Sequence, residues 1–457
     1  MACRAIVLSG GGARGGYHIG AWQAFRELGI DYQMITGTSV GALNGAIMAQ
    51  DDFEAARTMW ENLTTADVVN TDVRIVAGDK NEQRDEFTQF MLESLRKGGA
   101  DSSPLLRTIA EVVDEKKCRE SPVDFGLVTV KYPSMKPVML WKNEIPEGKL
   151  FDYMLASASI FPAFKMHQID GEQFIDGGYY DGMPINMALE HGAEEVVVVV
   201  LDGIGINRRP RLHGQKVTYI ESHWDLGNVL IFDGELARRI MRLGYLDTMR
   251  AYGKFEGVAY TLEIGELSKN SIVLSDTARS LADCLLPEEL RTTPAVIAAG
   301  RRFAELLHGY KCAPRGAVRL KKALVNHELL VNLALPMMTE VCAETFDVDY
   351  LKVYRFRELD SAIWDVYSSE RERFERSGEA DETANVLDLN RFNELAARLR
   401  SLGGHAVTHY IKSILEQSIA GRNRPDLWLA ASLLPREFWS AAYLCVLERA
   451  KDFLGND

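Results

Sequence analysis

Over residues 1–50, short apolar runs alternate with longer stretches that have helical spacing. An apolar run at residues 5–8 leads into a glycine-rich turn, and a helical pattern follows at residues 17–28. A second apolar run leads into a turn at residues 37–41, and a helix rich in small residues follows that turn. This strand–helix–strand–helix order predicts a parallel sheet with helices packed against it.

The middle of the chain continues the α/β pattern. Residues 125–130 and 137–141 predict paired strands, with the turn between them at residues 132–136. A helix is predicted at residues 151–159. The five-valine run within residues 195–201 is typical of a strand buried at the centre of a sheet.

Two stretches of the first half have a weaker pattern. Residues 62–99 include a polar stretch at 78–85, which fits a surface insertion or a lid over a site, and the insertion is favoured. Residues 257–264 predict a last strand.

From residue 268 onward, long amphipathic segments replace the alternating pattern. These segments lie at residues 277–285, 293–307, 316–342, 348–376, 390–417 and 436–454. Pro336 is expected to kink the third of them. We therefore predict two domains: residues 1–267, which carry the chemistry, and residues 268–457, an all-helical domain without recognisable chemistry. The helical domain is compatible with membrane docking, homo-oligomerisation or regulation by a protein activator.

The turn at residues 37–41 fits G-x-S-x-G, the pattern of a nucleophile elbow. Gly37 and Gly41 would leave room for a cramped turn that projects the hydroxyl of Ser39 outward. The N-terminus of the following helix would direct its partial positive charge at the serine oxygen and at an oxyanion beside it. The pattern alone is a weak signal, and Ser39 could also cap that helix.

The glycine-rich turn after the first strand predicts an oxyanion hole, because it exposes consecutive backbone N–H groups. Its members are Gly10, Gly11, Gly12, Ala13, Arg14 and Gly15. The same six residues match the G-x-G-x-x-G pattern of dinucleotide sites, but no acidic residue follows a second strand in the expected place. The lysine of a phosphate-binding loop is also missing, so a nucleotide site is disfavoured. Arg14 is expected to bond backbone carbonyls rather than lipid phosphate.

A third pattern places Asp176 at the end of a short apolar strand, directly before Gly177 and Gly178. A carboxylate that is hydrogen-bonded to a serine hydroxyl can act as a general base without a histidine. His18 is expected on a helix face beside the sheet rather than in a triad. The residues around Asp176 lack a spaced set of partners for a metal, so no metal is expected.

Together, the three motifs resemble those of the patatin-like phospholipases. Residues 10–15, 37–41 and 176–178 occur in that family's order, and residues 156–164 are similar to its segment before the aspartate. The resemblance covers residues 4–262.

The resemblance implies a patatin-like three-layer α/β/α fold with a mostly parallel central sheet. It also implies a Ser39–Asp176 dyad, and an oxyanion held by N–H groups around Gly11, Gly12 and Val40. The implied activity is hydrolysis of an acyl ester without a cofactor. The ester is most often in a membrane lipid, a phospholipid or another acyl-ester lipid, and contact with the membrane is expected to be peripheral. A hydrolase of soluble esters or thioesters and a non-catalytic lipid-binding regulator remain as alternatives.

Composition narrows the class of partners. The chain has 457 residues, of which 26% are charged. Its formal net charge of −13 argues against nucleic acid as a binding partner. Residues 207–216 form the most basic short segment, for which a solvated loop is favoured over contact with lipid phosphate.

Cysteine usage and hydropathy indicate a cytoplasmic protein, and the resemblance implies contact with membranes at their surface. The six cysteines, at positions 3, 118, 284, 312, 342 and 445, form no C-x-x-C pair and suggest reduced thiols. The chain enters its first strand almost at once, which leaves no room for a signal peptide, and it has no run of about 18 apolar residues.

Overall fold

The computed structural model describes residues 2–70, 80–285, 290, 293–309, 327–377, 404–421 and 427–454. Contacts within the chain divide it into two compact units, Met1–Tyr252 and Gly253–Asp457. The division comes before residue 267, because the short strand Thr261–Leu262 pairs with Val353–Tyr354 of the second unit. The boundary at 267/268 stays a prediction.

An eight-stranded sheet forms the centre of the first unit. Its strands are β1 (Arg4–Leu8), β2 (Met34–Thr38), β3 (Asp124–Tyr132), β4 (Lys136–Trp141), β5 (His167–Ile169), β6 (Glu172–Asp176), β7 (Glu195–Val199) and β8 (Lys216–Ile220). The order across the sheet is β5-β6-β3-β2-β1-β7-β8, with β4 paired to β3.

The pairing confirms the predicted, mostly parallel α/β fold. Strands β3, β2, β1, β7 and β8 are parallel neighbours, whereas β4 and β6 pair antiparallel with β3 and β5 pairs antiparallel with β6. The valine strand β7 lies between β1 and β8, and its side chains from Val196 to Val199 are buried. The predicted hairpin of β3 and β4 is also present.

Nine helices are described in the first unit. They are α1 (Gly16–Leu28), α2 (Val40–Ala49), α3 (Phe53–Asn62), α4 (Lys80–Lys97), α5 (Ser103–Val112), α6 (Glu115–Glu120), α7 (Leu150–Ser157), α8 (Ile185–Glu190) and α9 (Gly234–Ala251). Helix α7 confirms the helix predicted at residues 151–159. Of the uncertain stretch 62–99, residues 71–79 lie outside the described part.

Helix α2 packs closely on the sheet because its sequence is rich in small residues. Gly45 faces the side chains of Phe125 and Ile35, so the helix approaches β2 and β3 without an intervening side chain. Helices α1 and α9 also cross at glycines, with Gly20 against the backbone of Met241 and Gly244 against that of Tyr17.

The second unit is predominantly helical, as predicted. Its described helices are α10 (Glu266–Leu285), α11 (Pro294–Gly309), α12 (His327–Thr345), α13 (Phe356–Ser377), α14 (Gly404–Ile419), α15 (Leu427–Leu433) and α16 (Pro435–Leu454). The predicted segments at 316–342 and 390–417 are partly outside the described residues. None of the described helices has the length and apolar character needed to cross a membrane.

The last predicted strand requires a correction. Only Thr261–Leu262 of residues 257–264 is a strand, β9, and it pairs with β10 (Val353–Tyr354) rather than with the large sheet. The backbone before it is held by the buried carboxylate of Glu340, which accepts N–H groups from Val258, Ala259 and Tyr260 at 2.9, 2.6 and 2.9 Å.

Candidate active site

Ser39 lies between β2, which ends at Thr38, and α2, which begins at Val40. Its backbone has φ 57 and ψ −128, a conformation that residues with a Cβ rarely adopt. Such strain is typically about 1–3 kcal/mol and is found at functional sites. The Ser39 side chain makes no capping hydrogen bond to α2, so the capping role considered from the sequence is not used.

Two glycines allow this turn. A Cβ on Gly37 would collide with the backbone of Gly41, and a Cβ on Gly41 would collide with the backbone at Leu8 and Ser9. The turn is therefore wedged between the end of β1 and the start of α2.

Ser157, at the end of α7, ties the turn to the sheet. Its hydroxyl accepts the N–H of Ser39 at 2.9 Å and donates to the carbonyl of Val128 at 2.6 Å. The sequence patterns gave this residue no role of its own. Its only signal was its place in the segment at 156–164, which does not indicate a contact with Ser39.

Asp176 ends β6, and the sheet order β6-β3-β2 brings it to the same edge as Ser39. It is buried, its N–H donates to the carbonyl of Ser159 at 2.9 Å, and its Oδ1 accepts the N–H of Gly178 at 2.7 Å. A Cβ on Gly177 would collide with the carbonyl of Val128.

Burial raises the pKa of Asp176 to about 6, and the Gly178 N–H and the Ser39 hydroxyl act in the opposite direction. The Ser39 and Asp176 side chains therefore interact directly. Catalytic hydrogen bonds of this kind often tighten when substrate binds. A carboxyl group whose pKa is near neutrality can exchange a proton with a bound hydroxyl during a reaction.

Some backbone N–H groups of the glycine loop are hydrogen-bonded within the protein, and others are available to a ligand. Those of Gly10 and Ala13 donate to Gly182 and Val229 at 3.0 and 2.8 Å, and that of Arg14 donates to Gly11 at 3.2 Å. Within the part of the chain that the structure describes, the N–H groups of Gly11, Gly12 and Val40 have no protein acceptor. Each of these three residues lines the cavity that contains Ser39.

Gly12 has a further restriction, because its φ is +55 and an added Cβ would collide with the carbonyl of Val229. Arg14 has the structural position expected of it: its guanidinium donates to the carbonyls of Gly227, Leu201 and Asp202 at 2.8, 3.0 and 2.7 Å. Gly15 packs against Trp60 and Val40.

His18 does not line the cavity. It is fully buried on α1, where its Nδ1 lies 3.3 Å from Asn44 Nδ2 and burial lowers its pKa to about 3. His167 and His191 lie against Asp152 and Asp124 at 3.0 and 3.1 Å. No group of three or more metal-ligating side chains occurs among the described residues.

The site opens into an apolar cavity of about 100 Å³. Ser39, Asp176 and the glycine loop line its polar end, and its apolar lining includes Val40, Leu43, Ile47, Trp60, Leu105 and Ile109. Since the first three of these recur along one face of α2, the cavity follows that helix for about 10 Å. The Trp60 Nε1 donates to Asn44 Oδ1 at 2.9 Å, which satisfies the polar atom of the indole.

The first part of the chain is similar to proteins of a known family. A family model described as patatin-like phospholipase matches residues 6–189. Patatin-like phospholipase domain-containing protein 6 of Mus musculus is 28% identical over 198 residues, 43% of this chain and 13% of that protein. Lysophospholipase NTE1 of Mycosarcoma maydis is 25% identical over 224 residues, 47% of this chain and 10% of that protein.

The crystal structure of VipD from Legionella pneumophila aligns with a TM-score of 0.36 at 12% identity, over 96% of this chain and 91% of VipD. The match spans only 13% and 10% of the length of the two curated relatives, which are much longer proteins. Residues 6–189 of the chain therefore match the patatin-like phospholipase family.

Proposed function

We propose that this chain is a lipid acyl hydrolase that cleaves ester-linked fatty acids, with Ser39 as nucleophile and Asp176 as general base. One observation carries the proposal. The strained Ser39, the buried carboxylate of Asp176 and the available N–H groups of Gly11, Gly12 and Val40 line a single apolar cavity. The names of the relatives, a phospholipase domain protein and a lysophospholipase, support a lipid ester as substrate.

The reaction begins when Asp176 accepts the proton of the Ser39 hydroxyl as its oxygen attacks the ester carbonyl. The N–H groups of Gly11, Gly12 and Val40 stabilise the tetrahedral oxyanion, an effect typically worth about 3 kcal/mol for a single donor. Asp176 then returns the proton to the departing alcohol, which leaves an acyl group on Ser39. Water, deprotonated by Asp176, hydrolyses that acyl-enzyme and regenerates the serine.

The apolar face of α2 gives the acyl chain its position. A chain that lies along Val40, Leu43 and Ile47 places its carbonyl carbon at the N-terminus of α2, beside Ser39. Burial of each methylene contributes about 0.8 kcal/mol, so binding energy from the chain can orient the ester at the reacting atoms.

Release of fatty acid from phospholipid vesicles tests the proposal. The wild-type chain is compared with Ser39→Ala and Asp176→Asn, and each protein is also assayed on a short-chain ester that is soluble as single molecules. We expect the wild type to release fatty acid, and both variants to lose at least about 100-fold in rate.

The outcomes separate the alternatives. Hydrolysis of the soluble ester alone would replace the lipid substrate with a soluble acyl ester. Equal activity of wild type and Ser39→Ala would contradict the proposed nucleophile. If none of the three folded proteins hydrolysed either substrate, the result would favour a lipid-binding regulator.

A further inference from the structure

The segment after β7 combines positive charge with exposed apolar side chains. Residues 203–216, here called the basic loop, contain four cationic residues and no acidic one, in a chain whose net charge is −13. The cations are Arg208, Arg209, Arg211 and Lys216. Three apolar side chains of the loop are 70, 55 and 47% exposed, those of Ile204, Ile206 and Leu212. Apolar side chains that lie beside cations form the kind of surface that binds an anionic membrane.

The basic loop lies at the mouth of the cavity. Because β7 is parallel to β1, its carboxyl end reaches the edge of the sheet where the glycine loop lies. Gly203, Ile204 and Asn207 line the same cavity as Ser39. A lipid held by the loop would therefore be close to the serine.

Hydrogen bonds hold the backbone of the basic loop against the Asp176 segment. Ile206 accepts the N–H of Gly182 at 2.7 Å and donates its own N–H to Gly178 at 2.8 Å. Asn186 accepts the N–H of Arg211 at 2.8 Å and donates to the carbonyl of Arg209 at 3.2 Å. The exposed side chains therefore project from a fixed backbone, so binding would cost little backbone conformational entropy.

The cations differ in their surroundings. The Arg208 guanidinium lies 3.9 Å from the centre of the Tyr180 ring, and the backbone N–H of Arg208 donates to the buried carboxylate of Asp181 at 3.3 Å. Arg211 lies 3.6 Å from Glu190. Arg209 is exposed and has no acidic partner among the residues that the structure describes. Its charge is available to an external anion.

We propose that the basic loop docks the chain on the surface of an anionic lipid bilayer. Ile206 and Leu212 enter the boundary between headgroups and acyl chains, while Arg209 and its neighbours contact lipid phosphates. Binding of this kind combines apolar burial with attraction to anionic lipids. This docking surface rests on the proposed function, because docking there would bring lipid esters to the cavity that contains Ser39.

The test measures flotation of the full chain with vesicles, in a Ser39→Ala background so that lipid is not consumed. Phosphatidylcholine vesicles are compared with vesicles in which part of that lipid is replaced by phosphatidylserine. We expect binding to the anionic vesicles alone, weakened by salt. Arg209→Gln should lower the partition coefficient about fivefold, and Ile206→Ser at least as much.

Matched variants control for fold and for general charge. Arg209→Lys and Ile206→Leu keep the charge and the apolar surface, so both should bind like the parent. Lys116→Gln removes one exposed cation of α6, at the opposite edge of the parallel strands, and should also bind like the parent.

Three outcomes would overturn the docking surface: equal binding of parent, Arg209→Gln and Ile206→Ser; equal binding of neutral and anionic vesicles; or no vesicle binding. A change in oligomeric state on Ile206→Ser, measured by light scattering, would instead identify a second copy as the occupant and also overturn it. Turnover of a soluble short-chain ester by the chain with Ser39 intact reports the proposed function separately, because it needs no vesicle.

Discussion

At the scale of single residues, two buried carboxyl groups beside the cavity titrate in the same range. Burial raises the pKa of both Asp176 and Asp181 to about 6. Only Asp176 interacts with Ser39. The Asp181 carboxylate accepts the backbone N–H groups of Met183 and Arg208, both at 3.3 Å, and so holds the basic loop.

The pH dependence of hydrolysis follows from this difference. Asp176 must be ionised to accept the serine proton, so kcat/KM should fall tenfold per pH unit below about 6 and level off above it. Asp181→Asn should keep that acid limb, because an amide oxygen can accept the same two N–H groups. Loss of the limb in Asp181→Asn would assign the titration to Asp181 and remove Asp176 as the base.

Stability should respond in the opposite direction. Because burial raises the folded-state pKa of Asp176 from 3.8 to about 6, the folded chain holds a proton that the unfolded chain releases between those values. The free energy of unfolding therefore loses up to about 3 kcal/mol as pH rises through that window. Asp176→Asn should raise the free energy of unfolding at pH above about 6, with no gain below about pH 4. Urea unfolding at both pH values measures this, and a gain that is equal at both would contradict the assignment.

At the scale of secondary-structure elements, the crossing of α1 and α9 depends on glycine. Gly244→Ala should destabilise the first unit by about 1–3 kcal/mol, because a methyl group there collides with the backbone of Tyr17. Gly404→Ala is a matched control, since its Cβ would meet nothing within 4 Å. Thermal unfolding should show a lower midpoint for Gly244→Ala but not for Gly404→Ala. Equal midpoints for Gly244→Ala and the wild type would contradict the close crossing.

The elements that could be predicted from sequence are those with a local pattern. The first two strand–turn–helix units, the hairpin and the valine strand follow from apolar periodicity and glycine positions. Ser157 could not be predicted, because its contact with Ser39 joins residues 118 positions apart. Strand β9 has only two residues, too few for a period, and its partner lies in the second half of the chain.

The candidate site shows the same limit. The motifs and the family resemblance indicated Ser39, Asp176 and N–H groups around Gly11, Gly12 and Val40, but they did not indicate which other N–H groups of the loop are already bonded. That depends on Gly182 and Val229, whose carbonyls bind the N–H groups of Gly10 and Ala13. The sequence indicated the charge of residues 207–216, for which a solvated loop was favoured, whereas the exposure of Ile206 required the fold.

At the scale of the whole molecule, the proposed chemistry lies entirely within the first unit. Among the residues that the structure describes, all those that line the cavity fall between Ser9 and Phe232, inside Met1–Tyr252. Residues 1–252 alone should therefore hydrolyse a soluble short-chain ester within about tenfold of the full chain. The same fragment with Ser39→Ala is the control. A folded fragment without turnover would show that the second unit contributes to the site.

The central claim is that Asp176 activates Ser39 as a nucleophile, and covalent trapping tests it most directly. A fluorophosphonate reacts with an activated serine hydroxyl, and mass spectrometry then locates the modified residue. We expect one modification, on Ser39, absent from Ser39→Ala and formed at least about 100-fold more slowly in Asp176→Asn at neutral pH. Modification of a different serine, or equal labelling rates in wild type and Asp176→Asn, would contradict the account.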